Sequence, residues 1–90
     1  MNEQNENKQN LIRLGYYRHY KGKEYEVIGL AHLSETFEPM VVYRALYNSP
    51  DFGDQALWVR SLSVFQEMVI VEGKEVSRFA YIGLKEEQTP

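Results

Sequence analysis

The chain of 90 residues has no cysteine, only three prolines and one tryptophan, and no apolar run long enough to cross a membrane. Without cysteine, disulfides and thiolate metal sites are excluded, so the fold depends on packing alone. The polar first residues lack the apolar core of a secretion signal, which predicts a cytoplasmic protein with no membrane partner. The sequence also has no phosphate-binding loop, dinucleotide fingerprint or nucleophile elbow, since its glycines are isolated in turns and bends.

The remaining composition is that of a folded protein, with 43% hydrophobic and 26% charged residues and a net charge of −3. This charge argues against a general nucleic-acid binder, because phosphate binding depends on clustered cations, although a local basic patch remains open. Residues 1–10 contain four Asn and two Gln. We therefore predict disordered tails at 1–10 and 85–90 around a single domain at 11–84.

Strand signals dominate that domain. Alternating, β-branched and aromatic residues predict strands at 16–20, 24–33, 40–47, 57–60, 68–71 and 76–82, the last two forming a hairpin. Gly29 predicts a bulge or bend, and residues 61–68 predict one or two helical turns with Ser63 as N-cap. The fold class is mainly all-β: a small SH3-like barrel of five to six short strands with one short helical turn. A split sheet with one short helix is the alternative.

The segment from residue 15 to 25 contains four tyrosines, three cations and a histidine around a Lys-Gly-Lys turn. We interpret it mainly as the first hairpin of the barrel, with Tyr17 and His19 as candidate ligand-binding residues. A structural role is favoured for His19, either donating to a backbone carbonyl or packing edge-on against a tyrosine. A role as a proton carrier is the alternative, because histidine titrates near neutral pH.

Strand alternation places Trp58 and Arg60 on one face of their strand. Arg44 and Arg78 likewise share strand faces with apolar residues, where an arginine can stack on a ring or bind a carboxylate or phosphate. One interpretation is that these arginines form ordinary ion pairs with glutamates at positions 26, 35, 38 and 67. The other is that Trp58, Arg60 and a second arginine line a pocket for an anionic or planar ligand.

The loop that follows the second predicted strand has the greatest density of polar side chains. It brings together His32, Ser34, Glu35, Thr36 and Glu38 within seven residues. The two hydroxyls are typical of turn caps, and the two glutamates of a solvated loop. Two histidines and a glutamate can in principle bind a divalent metal, but the spacing here matches no metal motif. We therefore assign no catalytic residue, no metal and no cofactor.

Several short motifs occur in the order found in one known family. They are Gly15-x-Tyr17-x-His19-x-Lys21-Gly22-Lys23-x-Tyr25-x-Val27, Ala31-x-x-Ser34-Glu35-Thr36-x-Glu38, Val41-Val42-Tyr43-Arg44-Ala45-Leu46-Tyr47, Leu57-Trp58-Val59-Arg60, Phe65, and Gly73-Lys74-x-Val76-x-Arg78-Phe79. Over residues 14–82 the sequence thus resembles the bacterial family called domain of unknown function 1653. The resemblance implies a small, mostly β, cytoplasmic domain without an established activity. The chain departs from the family pattern at Leu33, where a histidine is expected, and at Ser61 and Ser77, where prolines are expected.

Three functions follow as hypotheses. The first is a non-enzymatic binding module that uses its aromatic and arginine surface for a small anionic or planar ligand, a short peptide or single-stranded RNA. The second is a small hydrolase or metal-dependent enzyme centred on residues 32–38, with His19 nearby. The third is an interaction or assembly protein, monomer or homodimer, that buries Tyr16, Phe52 and Tyr81 at a dimer face.

Overall fold

The computed structural model describes residues 11–84, so both predicted tails lie outside the described residues. Strands are the main secondary structure of this segment, which confirms the all-β prediction. The elements are β1 (Gly15–His19), β2 (Glu24–His32), β3 (Pro39–Ala45), β4 (Asn48–Ser49), β5 (Gly53–Asp54), β6 (Leu57–Ser61), α1 (Leu62–Phe65), β7 (Met68–Val71), β8 (Lys74–Ser77) and β9 (Phe79–Gly83). No helix within residues 11–84 is long and apolar enough to cross a membrane.

Five of the strands form one antiparallel sheet in the order β6-β3-β2-β1-β9. The β1–β2 turn places Gly22 at a φ of 111°, a conformation that glycine adopts without steric cost. The β2–β3 register shifts between Val27 and Gly29, which leaves Ile28 as an extra residue and confirms the predicted bulge. Bulges increase strand bending, so this one curls the sheet around its inner face.

The sheet does not close into a barrel, and the predicted SH3-like barrel is therefore not confirmed. Within the described segment its edge strands β6 and β9 share no backbone ladder. The chain turns directly from β6 into α1, which brings Phe65 between the two edges instead of a further strand pair. Phe65 stacks on Phe79 of β9 with ring centroids 4.1 Å apart and meets Tyr43 of β3 edge-on at 5.4 Å. Aromatic side chains thus fill the gap that backbone hydrogen bonds would close in a barrel.

The helical turn at α1 is shorter than the predicted one and begins elsewhere. The Oγ of Ser61 accepts a hydrogen bond from the backbone N–H of Val64 at 3.3 Å, so Ser61 is the N-cap and the assignment of Ser63 was wrong. Phe65 of this turn is buried, and Leu62 packs against the core.

The predicted final hairpin is divided between two sheets. Strands β7 and β8 pair with each other, but the chain bends at Arg78 and β9 pairs with β1. At the bend the Arg78 N–H donates to the carbonyl of Glu67, and the Arg78 carbonyl accepts from Tyr20. Backbone hydrogen bonds on both sides of Arg78 therefore divide the single strand predicted at 76–82 into β8 and β9.

The core lies on the inner face of the curled sheet and is rich in aromatic rings. Its buried members are Ile12, Tyr17, Val27, Leu30, Val41, Tyr43, Phe65 and Phe79, with Tyr25, Trp58, Leu62 and Tyr81 packed against them. Most of the ring pairs meet edge-on, the arrangement that aromatic quadrupoles favour. This core extends to a cavity at the β6 edge of the inner face.

Candidate functional site

A cavity of about 250 Å³ is lined by four aromatic side chains and one arginine. The lining residues are Tyr25, Tyr43, Tyr47, Trp58 and Arg60. The β3–β6 register places Trp58 opposite Tyr43 and Arg60 opposite Val41, which are both buried. The alternate residues Leu57 and Val59 point outward and are each 60% exposed. Alternation along β6 therefore gives the cavity its tryptophan and its cation, while β2 and β3 supply tyrosines.

Arg60 is held in the cavity without a carboxylate. Its Nε donates to the hydroxyl of Tyr43 at 3.2 Å, and its guanidinium carbon lies 5.6 Å from the centroid of the Phe79 ring. Within residues 11–84 the two terminal nitrogens have no hydrogen-bond partner and the guanidinium has no ion pair. Arg60 is partly buried. It is thus a positioned cation whose hydrogen-bonding fork is free.

The other two candidate arginines form ion pairs with glutamates. Arg44 Nε lies 3.8 Å from the carboxylate of Glu26, its cross-strand neighbour, and Arg78 Nη2 lies 2.7 Å from that of Glu67. These two contacts match the ordinary ion-pair interpretation, and Arg60 is the arginine that departs from it. Neither Arg44 nor Arg78 lines the cavity.

The tyrosines supply hydroxyl groups to the cavity. The hydroxyls of Tyr25 and Tyr47 are 2.7 Å apart and share one hydrogen bond. Burial raises the pKa of Tyr25 well above its usual range, and the hydrogen bond shared with Tyr47 raises it further. The Nζ of Lys23 lies 4.5 Å from the centroid of the Tyr47 ring. The Tyr25 hydroxyl therefore stays protonated at neutral pH, and the Lys23 ammonium adds a second positive charge beside the cavity.

Trp58 contributes an unpaired N–H. Its Nε1 is closed off from solvent and has no acceptor among the described residues. A buried donor without an acceptor costs about 1–3 kcal/mol. The ring of Phe52, which is 63% exposed in the β4–β5 hairpin, meets the indole edge-on at 4.9 Å. That hairpin, predicted only as a loop, therefore covers part of the tryptophan.

His19 lies at the end of β1, near this cavity but outside its lining. Its Nδ1 accepts from the backbone N–H of Lys21 at 3.1 Å, and its ring meets Phe79 edge-on at 4.9 Å and Tyr20 at a tilt. These contacts fit the structural role that the sequence favours for His19. They differ in detail, because the imidazole accepts a hydrogen bond instead of donating one and its edge-on partner is a phenylalanine. Burial lowers the pKa of His19, and Arg60, Arg78 and Lys21 lower it further.

We expect acidification to destabilise the protein through His19. Its folded-state pKa lies below the value of roughly 6.5 for an unfolded chain, so the unfolded state binds more protons below that pH. The stabilisation that the neutral His19 gives to the folded state is therefore complete above about pH 6.5 and is lost as pH falls through the folded-state pKa. Substituting Arg60→Gln removes a nearby positive charge and should raise the pKa of His19, as followed by NMR titration of its ring protons. An unchanged pKa in R60Q would contradict the proximity of the two groups.

The polar loop contains turn contacts. The Oγ1 of Thr36 accepts from the backbone N–H of Glu38 at 3.2 Å, and Ser34 donates to Glu35 at 3.3 Å. All five candidate residues of this loop are exposed. His19 pairs with Lys23, whereas His32 ends β2 nine positions later, so roughly 25–30 Å of strand separates the two imidazoles. Residues 11–84 contain no cluster of three or more metal-ligating side chains.

The remaining candidates are distributed around the sheet. Tyr17 is a core residue whose hydroxyl donates to the carbonyl of Arg13 at 2.7 Å, and burial raises its pKa to about 12. Tyr81 lies edge-on to Tyr17 and under the Arg13 guanidinium. Tyr16 alternates with Tyr17 along β1, and Phe52 packs against Trp58.

Sequence reasoning missed the three tyrosines of the cavity. Alternation divides the side chains of one strand between two faces. It does not determine which strand lies beside Tyr43, or in what register. The density of tyrosines in residues 43–47, close to Trp58 along the chain, was the available signal.

Fold and cavity together define a small all-β domain with an open, curled sheet and an aromatic cavity that contains one unpaired arginine. The chain belongs to the family described as protein of unknown function (DUF1653), whose sequence profile matches residues 15–81. It is similar to a DUF1653 protein from Bordetella bronchiseptica, known from a crystal structure. The two are 38% identical with a TM-score of 0.75, over 91% of this chain and 97% of the other. No curated protein matches the chain.

Proposed function

We propose that this protein is a binding module that holds an anionic or planar group in the cavity formed by Tyr25, Tyr43, Tyr47, Trp58 and Arg60. The observation that carries the proposal is the unpaired guanidinium of Arg60 on the inner face of the sheet. A partly buried cation loses hydration, and folding alone gives this one no counter-ion. A bound anion would give the Arg60 guanidinium a counter-charge and hydrogen-bond acceptors for its two terminal nitrogens.

The aromatic lining supports the same proposal. Tryptophan, tyrosine and arginine are the residues most often found at the energetic centres of binding sites, because they bury large rigid surfaces and retain a polar group. In this proposal the ligand is a small anionic or planar molecule, a short peptide or single-stranded RNA. The protein acts in the cytoplasm as a monomer or homodimer, and binding requires no cofactor.

The test uses the full chain labelled with ¹⁵N and three probes: benzoate, uridine 5′-monophosphate and a short oligouridylate. We expect at least one probe to shift the NMR signals of the Trp58 indole and its neighbours. Arg60→Gln should abolish these shifts and leave the melting temperature close to that of the unmodified protein, because the arginine makes only one internal hydrogen bond.

Val59→Gln is the matched control, because Val59 lies on the same strand with its side chain on the opposite, exposed face. It should leave probe binding unchanged. If R60Q simply unfolds, Arg60 is a core residue and the proposal fails. Shifts that appear only in distant residues would also exclude this cavity as the binding site.

A further inference from the structure

We propose that the cavity binds a single planar carboxylate carried on a group about the size of one ring. This inference rests on the binding function proposed above and adds the chemical class of the ligand. It follows from the hydrogen-bond donors of the cavity, from the free edge of Arg60 and from the size and charge of the site.

The cavity presents donors and no acidic side chain. Tyr43 accepts from Arg60, so its own hydroxyl hydrogen has no acceptor among the described residues. The Tyr25–Tyr47 pair uses one hydroxyl hydrogen and leaves the other free. These groups complement a ligand that supplies several acceptor oxygens and a negative charge.

The hydrogen bond to Tyr43 determines which edge of the guanidinium is available. With Nε engaged, the two terminal nitrogens remain as a pair of parallel donors in one plane. This fork matches the two oxygens of a carboxylate, which arginine binds bidentately. Tyr43 acts here as a positioning residue, since it fixes the guanidinium plane.

The size and charge of the site favour a single anionic group over a polymer. The volume of about 250 Å³ lies below the roughly 300–1,000 Å³ typical of sites for drug-sized ligands. Arg44 and Arg78 are paired with glutamates, which leaves Arg60 and Lys23 as the cations beside the cavity. A nucleic acid binds through several phosphates at once, and this surface does not offer a row of free cations.

The same carboxylate chemistry occurs in a free aromatic acid and at the carboxyl terminus of a peptide. The cavity is open enough at its rim for either source, because Tyr47 and Trp58 are only partly buried. The experiment therefore includes one probe from each source, together with its neutral amide.

Binding is measured by calorimetry on the full chain with benzoate, benzamide, phenyl phosphate, a tripeptide ending in phenylalanine, its carboxamide and an oligouridylate. We expect benzoate or the free tripeptide to bind at least about tenfold more tightly than the matching amide. The affinity for either acid should fall with rising salt concentration much less steeply than that of a nucleic acid, because only one charge pair is screened. Whichever of the two acids binds identifies the source.

Two conservative variants test what individual side chains contribute to carboxylate binding. Arg60→Lys keeps the charge and removes the fork, so it should weaken carboxylate binding about tenfold and affect benzamide little. Tyr43→Phe keeps the aromatic ring and removes the hydroxyl that holds the guanidinium plane, so it should weaken carboxylate binding and affect benzamide little.

Equal binding of acid and amide would overturn the inference and leave the binding function intact. Tighter binding of phenyl phosphate, or of the oligouridylate with a steep salt slope, would do the same. If no probe binds at millimolar concentration, or if R60Q changes nothing, both the inference and the proposed function fail.

Discussion

Replacing Phe65 with alanine should destabilise the fold more than any other single truncation in the core. The ring is 1% exposed, stacks on Phe79 and meets Tyr17 and Tyr43 edge-on. Removing a buried phenylalanine costs about 3–5 kcal/mol, through lost transfer energy and the cavity that remains. Small domains are stable by only about 5–15 kcal/mol, so much of the total is lost. Urea unfolding followed by circular dichroism measures the change in free energy.

Phe52→Ala is the matched control, because it removes the same side chain from a position that is 63% exposed. We expect it to cost less than about 1 kcal/mol. Comparable losses in the two variants would mean that Phe65 does not fill the gap between the edge strands.

Gly15→Ala should give the second-largest loss of folding stability. Gly15 has a φ of 134°, which L-residues rarely adopt, and an added Cβ would lie 2.7 Å from the carbonyl oxygen of Gly83. Backbone strain of about 1–3 kcal/mol therefore adds to an overpacking cost of similar size. To relieve the contact, β1 and β9 must move apart at the end of their ladder. Thermal unfolding should show a clearly lower midpoint.

Gly22→Ala separates the cost of backbone strain from the cost of overpacking. Gly22 also has a positive φ, of 111°, but a Cβ there would meet no atom within 4 Å. This variant should show the strain cost alone and lose less stability than Gly15→Ala. Equal losses would mean that the close approach of Gly83 contributes nothing.

The sequence was sufficient for features that depend on one strand at a time. Alternation and β-branched residues predicted β2 and β3 nearly to their ends, and Gly29 indicated the bulge. Alternation also placed Trp58 and Arg60 on a common face. Each of these features is a local property of the backbone, so a single-strand pattern contains the information.

Features that depend on partners were not predictable in this way. Residues 76–82 contain no glycine or proline that would interrupt a strand. The chain nevertheless changes sheets at Arg78, because its backbone bonds to Glu67 on one side and Tyr20 on the other. Which arginine lacks an acid is decided by register: Glu26 lies directly opposite Arg44, whereas Arg60 lies opposite Val41. Register is fixed by packing across the whole sheet, and no short segment encodes it.

The pairing of β1 with β9 has a kinetic consequence. Their partnered residues are 60 to 67 positions apart in the chain, from His19 with Phe79 to Tyr16 with Gly83. Contacts between such distant segments incur their loop-closure entropy before they gain any packing energy, which slows folding. Arg60 rests near Phe79, a residue of β9. We therefore expect the cavity to reach its final shape late in folding, when the two ends of the domain meet.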